Sequence, residues 1–383
     1  MKILVVTYSK FPEGDAESVR LHSIGKILRD CGHDVFFVGM GQDEFMKDLK
    51  FDGFKYISLR KKTNNRISKV FNYINYSKNI KSYINMYLNK ESIDAIIFAD
   101  ISPFSIITLK RICKKNNIKL IADSVEWFSP SQFKFGILSL GNLMKNIENK
   151  YIINSDIRVI AISNFLYNHF NNKKLKCSRI PAILDVKKIS IKKEIDKSKL
   201  KILYAGSPGK KDYIYDVLKG LLMLEDKEIN KLEFIIAGIE LNNIKDLFNE
   251  KEILKLNKVV KFLGRIKREE VFNLLSKVDF TVLLRPENER FAKAGFPTKV
   301  VESLATYTPV ILNISSDLGQ YISDMKEGLI VEECSAKSFS KTIKRALELN
   351  EIQKEKMRFN SRLCAEKNFD YRLYYNELEK LLF

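Results

Sequence analysis

Cysteine is sparse and unpaired in this 383-residue chain: Cys31, Cys113, Cys177, Cys334 and Cys364 are scattered, with no Cys-x-x-Cys pair. Together with only three histidines, this leaves no zinc-ligand spacing. An odd number of lone thiols fits a reducing compartment, so a cytoplasmic protein is expected. Long apolar runs are also missing. The longest, Ala95 to Leu109, is interrupted by Asp100 and Pro103 and is too short to span a bilayer. The opening MKILVVTYSKF lacks the h-region and cleavage site of a signal peptide and reads as a buried first strand. A soluble or at most peripheral protein is therefore expected. There is no G-x-G-x-x-G fingerprint after the first strand, where Phe11-Pro12-Glu13-Gly14-Asp15 stands instead, so no nicotinamide or flavin cofactor is supported. No repeat of 20–50 residues and no low-complexity tract appears.

What is abundant is apolar surface and positive charge. Apolar residues make up 45% and charged residues 30%, a globular composition, and the length suits two domains of about 150–200 residues each. Basic residues number 66 against 47 acidic, a formal charge of +19. The excess is lopsided: residues 1–200 hold 35 basic and 19 acidic residues, net +16, and residues 201–383 hold 31 and 28, net +3. A Lys-, Asn- and Ile-rich composition would account for an excess of base but not for its concentration in one half. The first half is expected to face something anionic.

Short β-branched runs alternate with amphipathic stretches throughout. KILVVTY, DVFFVGM, KYISL, DAIIFAD, KLIADSV and IRVIAIS read as strands of the first half, with helical patterns from Ala16 and from Arg66 to Asn89. DVKKISIKKEIDKSK (185–199) has no sustained period and reads as a linker. Alternation then restarts with KILYAG, LEFIIAG, KVVKFLG, DFTVLLR, PVILNI and GLIVEE. Continuous apolar strands separated by helices mean parallel sheets covered on both faces. The expectation is an α/β protein of two Rossmann-like, doubly wound domains, 1–187 and 188–364, facing a central cleft where ligands meet strand carboxyl ends. Residues 365–383, with Leu373, Leu378, Leu381 and Leu382, are expected to form a helix packing back on the first domain, although a terminal core helix is equally consistent.

Three strand ends of the second half carry phosphate-friendly chemistry. In RPENERFAKAGFPTKVVESLATYTP (285–309), Gly295 permits close approach to the backbone. Pro297 suits a first helical position, and a helix N-terminus binds phosphate. Thr298 and Glu302, four apart, share a helix face, and Glu302 could accept both hydroxyls of a ribose. An ordinary βα loop with a solvated Glu fits the same spacing. In YAGSPGKKD (204–212), Gly206-Ser207-Pro208-Gly209 and then Lys210-Lys211 bring two ammonium groups beside an anion without Walker spacing. A basic turn capped by Asp212 is the plainer reading. Gly264-Arg265 follows KVVKFL, and with Arg285 adds positive charge. In the first half, Asp123 and Glu126 follow a strand and could orient or deprotonate a hydroxyl, or serve only as capping or surface acids. His22, His33 and His169 read as structural, and Ser163 as an N-cap.

At these residues the chain resembles a retaining GT-B glycosyltransferase of family 4. The likeness runs through KILVVTY, GHDV, RIPAILD, YAGSPGKKD, FLGR and, most specifically, GFPTKVVESLATYTPVI. It implies a nucleotide-sugar donor, UDP- or GDP-linked, on the second domain and a glycan or lipid-diphosphate-linked acceptor on the first. Glu302 would bind the donor ribose, Lys211 with Lys210 and Arg285 would neutralise the diphosphate, the backbone of Phe296–Thr298 would contact phosphate, and Gly264–Arg265 would lie near the base. Gly206, Ser207 and Gly295 join the donor side, Gly14 and Glu126 the acceptor side, with Asp123 as a further catalytic carboxylate. The chain departs from the family at Ala294, where the first Glu of a Glu-x7-Glu pair usually stands, and at Ser207, where Gly-Arg is usual.

With cations stabilising the leaving diphosphate, no divalent metal is expected, and no nucleic-acid partner is expected either. Lys61, Lys62, Arg66, Lys69, Lys78 and Lys81 would draw the protein to an anionic membrane surface. The resemblance points to bacterial surface polysaccharide synthesis. A nucleotide-sugar epimerase and a non-catalytic GT-B partner subunit share the same architecture.

Overall fold

The computed structural model describes all residues except Glu13, 40–44, 60–65, 190–194 and Pro208, and only the backbone of 66–74. It divides into two units, Met1–Leu184 with Tyr371–Phe383, and Asp185–Asp370. The first is an eight-stranded sheet of β1 (Lys2–Thr7), β2 (Asp34–Gly39), β3 (Leu49–Phe51), β4 (Phe54–Ser58), β5 (Ala95–Ala99), β6 (Lys119–Ser124), β7 (Arg158–Ala161) and β8 (Cys177–Arg179). Its helices are α1 (Ala16–Asp30), α2 (Arg66–Leu88), α3 (Pro103–Asn116), α4 (Leu140–Ile147) and α5 (Asn164–Asn172). The strand order is β3-β4-β2-β1-β5-β6-β7-β8, parallel except for the β3–β4 hairpin. That hairpin turns on Asp52-Gly53, both at positive φ, as an Asp-Gly turn requires.

The strands are apolar because both faces are covered: Ile3, Leu4, Val5 and Val6 are wholly buried. α1 starts where Asp15 accepts from the Ser18 amide and Ser18 reciprocates. α3 starts at Ser102 with Pro103 in its first turn and ends at Asn117 in the left-handed conformation. Ser163 caps α5. His33 joins Glu379 at 2.7 Å, tying the turn before β2 to the end of the chain.

The second unit is a parallel sheet of β9 (Leu200–Ala205), β10 (Leu232–Ala237), β11 (Val260–Phe262), β12 (Phe280–Leu283), β13 (Val310–Leu312) and β14 (Gly328–Ile330), ordered β11-β10-β9-β12-β13-β14. Around it lie α6 (Ile214–Leu222), α7 (Asp226–Ile229), α8 (Glu250–Val259), α9 (Arg268–Lys277), α10 (Arg290–Ala294), α11 (Thr298–Ala305), α12 (Ala336–Glu348) and α13 (Glu351–Asn368). The last helix, α14 (Tyr375–Leu382), belongs to the first unit. Its Leu378, Leu381 and Leu382 share a buried cluster with Leu21, Ile24 and Ile180. Leu373 precedes this helix and is exposed.

The chain reverses direction across each sheet between its first strand and the strand that follows the excursion: β1 and β5 in one unit, β9 and β12 in the other. At such a switch point the loops leave in opposite directions and open a crevice at the carboxyl ends. Each of the two site clusters sits at one of these points.

Candidate functional site

In the second unit the loops after β9 and β12 meet at Asp212. Its side chain is buried, and one oxygen accepts from Arg285 Nε at 2.8 Å. The other accepts from Lys299 Nζ at 2.6 Å and from the Tyr204 hydroxyl at 2.9 Å. Burial pushes the Asp212 carboxyl up, but Lys299 and Arg285 outweigh it and hold it below its ordinary value. Burial lowers the Lys299 ammonium, with Asp212 opposing. Two cations against one carboxylate leave a net positive charge. Both Nη nitrogens of Arg285 lack a protein partner among the described residues, while Asp212 fixes the guanidinium through Nε. A guanidinium so held presents a planar pair of donors, the geometry that phosphate oxygens accept.

Asp212 is therefore not the cap of α6, the role that the basic-turn reading gave it. Tyr213 occupies that position without a side-chain cap. Lys299 was absent from the sequence-derived set. The available signal was a lysine two residues after Pro297, in the first turn of α11.

Three glycines end neighbouring strands here. Gly206 (φ +138), Gly238 (φ +122) and Gly264 (φ +62) follow β9, β10 and β11, with Gly206 N donating to Ala237 O and Gly238 N to Gly264 O. A Cβ on Gly238 would stand 2.2 Å from the Gly206 carbonyl oxygen, and one on Gly206 2.8 Å from Lys299 Nζ. The bare backbone lets these strand ends stack and lets Lys299 reach Asp212. Gly238 was also missed, because in sequence it simply ends LEFIIAG.

Thr298 opens α11, and Glu302 follows one turn later. Pro297 is the extended N-cap, not the first helical residue as expected. With no side-chain cap, the first-turn amides are left to a ligand or to the Pro297 carbonyl, which takes Val300 N. Glu302 Oε1 accepts from Arg268 Nη2 at 2.7 Å and Nε at 3.2 Å, whereas Oε2 has no protein partner among the described residues. Arg268, also missed, thus orients Glu302. Gly295 has an extended backbone (φ −84), Ala294 is buried, and the Phe296 ring packs against Tyr321 and Phe369, so only its backbone is available to a ligand. Ser207, Lys210 and Arg265 are exposed and Lys211 is half-buried. The cations contacting Asp212 are Arg285 and Lys299.

In the first unit the residues placed for acceptor chemistry differ from expectation. Asp123 does not reach solvent. Its carboxylate is wholly buried and accepts from Arg20 Nε at 2.9 Å and Nη2 at 2.8 Å, while Arg20 also donates to Pro181 O and Ile180 O. Strand alternation points this side chain down onto α1. Glu126 is half-buried, and Gly14 donates to Lys10 O at 2.8 Å, its Cα facing Lys10 so closely that a Cβ would overlap.

The carboxylate at the β1/β5 switch point is instead Asp100, exposed and in the left-handed conformation (φ +46), a backbone state that costs free energy. Although the residue's surface is exposed, loss of hydration among the atoms packed around the carboxyl is the largest cause that pushes it up to about 7; Lys145 opposes this, and Glu126 and Glu148 add to it. Burial, then Asp100 and Asp123, likewise raise Glu17 well above its ordinary value, and Glu17 Oε1 is buried without a hydrogen-bond partner. Lys145 pairs with Glu148 at 2.7 Å. A carboxyl that titrates near neutrality beside a lysine can both accept from and donate to a hydroxyl. Among the described residues no three His, Cys, Asp or Glu side chains gather to hold a metal ion.

Residues 185–363 match the family model for glycosyl transferases group 1. No curated protein matches the chain. Among solved structures, sucrose-phosphate synthase from Thermosynechococcus elongatus is similar at 15% identity with a TM-score of 0.78, over 99% of this chain and 98% of that one. WaaG, a glycosyltransferase involved in lipopolysaccharide biosynthesis, is similar at 14% with 0.69, over 99% and 98%. HepE of Anabaena, in complex with UDP and glucose, is similar at 14% with 0.67, over 100% and 99%. These likenesses show a GT-B fold of two parallel-sheet α/β units. With its group 1 domain, the chain is an enzyme of the glycosyltransferase class.

Proposed function

We propose that this chain, whose second unit carries a glycosyl transferases group 1 domain, moves a sugar from a UDP- or GDP-sugar to a hydroxyl of a glycan or lipid-diphosphate-linked acceptor. The carrying observation is the Asp212 hub, which holds Arg285 and Lys299 at the β9/β12 switch point with the Arg285 Nη donors unclaimed. The Anabaena neighbour recorded with UDP and glucose supports a uridine nucleotide as donor.

On this reading the electron pair of the sugar–phosphate bond passes to the leaving diphosphate. Arg285 and Lys299 neutralise the charge that develops there, with the uncapped first turn of α11 adding amide donors. Glu302 Oε2 accepts from the donor ribose, and Arg268 keeps it aimed. Lys210, Lys211, Ser207, Gly264 and Arg265 complete the donor side, and Asp100 replaces Asp123 as the carboxylate that orients the acceptor hydroxyl. Attack from the departing face, with the hydroxyl proton passing to the leaving phosphate, gives retention as in family 4. Protein cations carry the phosphate charge, so no divalent metal takes part. The place of action is a cytoplasmic membrane face in surface polysaccharide synthesis. Lys78 and Lys81 are exposed on α2, Lys61 and Lys62 lie outside the described residues, and so do the side chains of Arg66 and Lys69.

Incubation with UDP- and GDP-sugars tests this. Slow nucleotide release, unchanged by EDTA and lost in Arg285→Gln and Glu302→Gln, is expected. Isomerised donor without release would identify an epimerase, and no turnover with any donor and acceptor extract a partner subunit.

A further inference from the structure

The segment from residue 133 to 151 in the first unit is built inside out. Phe135, Ile137, Leu138 and Leu140 are 73%, 68%, 80% and 66% exposed, and Tyr151 is 72% exposed. Leu140, Leu143 and Ile147 fall at helical spacing on the outer face of α4. The polar residues point the other way: Asn142 and Asn149 are buried, and Lys145 and Glu148 pair inward. A helix bathed in water has the opposite polarity.

Nor is the segment merely loose. Asn142 Nδ2 donates to Ile137 O at 3.1 Å, the Trp127 indole donates to Asn146 Oδ1 at 2.8 Å, and Gly141 lets the Phe133 ring lie within 3.0 Å of where a Cβ would be. Side-chain bonds from within thus hold the apolar face outward. The outward charges of the segment are Lys134 and Lys150, both exposed, and its only acid, Glu148, is turned inward.

We propose that residues 133–151 are a bilayer-docking surface, with the apolar side chains entering the acyl boundary of an anionic leaflet and Lys134 and Lys150 meeting its phosphates. This rests on the peripheral-membrane reading above and locates it away from α2. Charge selects the occupant: a segment whose two exposed charges are both positive fits an anionic lipid surface, and it disfavours a second copy of the same segment.

Vesicle co-sedimentation of the full chain at low salt tests this. Phosphatidylglycerol-containing vesicles are expected to bind several-fold more protein than phosphatidylcholine alone. Leu138→Ser with Leu140→Ser should cut that binding several-fold at all salt concentrations, and Lys134→Gln with Lys150→Gln should cut it mainly at low salt. Leu138→Trp, which keeps the surface apolar, should bind as wild type and show blue-shifted emission quenched by brominated lipid, against the single buried Trp127. Undiminished binding by the serine variant, equal binding to both vesicles, or a lipid-free dimer that the serine changes abolish would each overturn the proposal. UDP binding by thermal shift is read in parallel. If UDP fails to bind while docking persists, the donor reading falls and this surface stands.

Discussion

Asp100 and Asp123 show how far a residue's surroundings decide its chemistry. Both close apolar runs of near-identical sequence, FAD and IAD, Asp100 just past the end of β5 and Asp123 still inside β6. Yet Asp123 is sealed against Arg20, and Asp100 sits at the switch point with its carboxyl pushed up to about 7. A raised folded-state value means that the folded protein favours the protonated form. Stability linked to Asp100 is therefore fully present below the unfolded value near 4 and is lost as pH rises towards about 7. A carboxyl-carbon NMR titration should place the Asp100 midpoint near 7, and Lys145→Met should move it higher still, since Lys145 opposes the shift. Asp100→Asn should flatten the fall in unfolding free energy across that window. A midpoint in the ordinary carboxylate range would remove Asp100 from the acceptor role.

At the scale of elements, most strands and the helices from Ala16 and Arg66 were legible because their signals are local: apolar runs and the amphipathic spacing that follows them. The donor-side cluster was legible only in part. GFPT and Glu302 form one contiguous motif, but Asp212, Arg285, Lys299 and Arg268 are joined only by the β9/β12 crossover. Nothing within a few residues of Asp212 marks it as a hub and not a cap. The edge strands β3 and β8 were missed because their residues, LKF and CSR, make no continuous apolar run. β11 was expected from Lys258, but α8 runs on through Val259 before the strand begins. The strand-end glycines carry a test at this scale. Gly238→Ala puts a Cβ 2.2 Å from the Gly206 carbonyl at φ +122, so the backbone must shift. A loss of more than about 1 kcal/mol of stability is expected, and weaker UDP binding with it, both read by thermal unfolding with and without UDP.

For the whole molecule, the contact division gives the last thirteen residues to the first unit. Tyr371 donates to Leu184 O at 3.0 Å and through its hydroxyl to Asp30 at 2.8 Å. Leu378, Leu381 and Leu382 are each buried side chains worth about 1.5–3 kcal/mol. Deleting 371–383 should lower the unfolding temperature of the first unit sharply while the second keeps UDP-dependent stabilisation. Scanning calorimetry resolves the two.

The central claim is that a carboxylate-held pair of cations grips a nucleoside diphosphate at the β9/β12 switch point. Isothermal titration of UDP into wild type, Arg285→Gln and Lys299→Met tests it most directly. Losing a charge-assisted contact should cost about 1.5–3 kcal/mol, roughly 10- to 150-fold in Kd for each variant. Wild-type affinity in both variants, with their folds intact, would contradict the account.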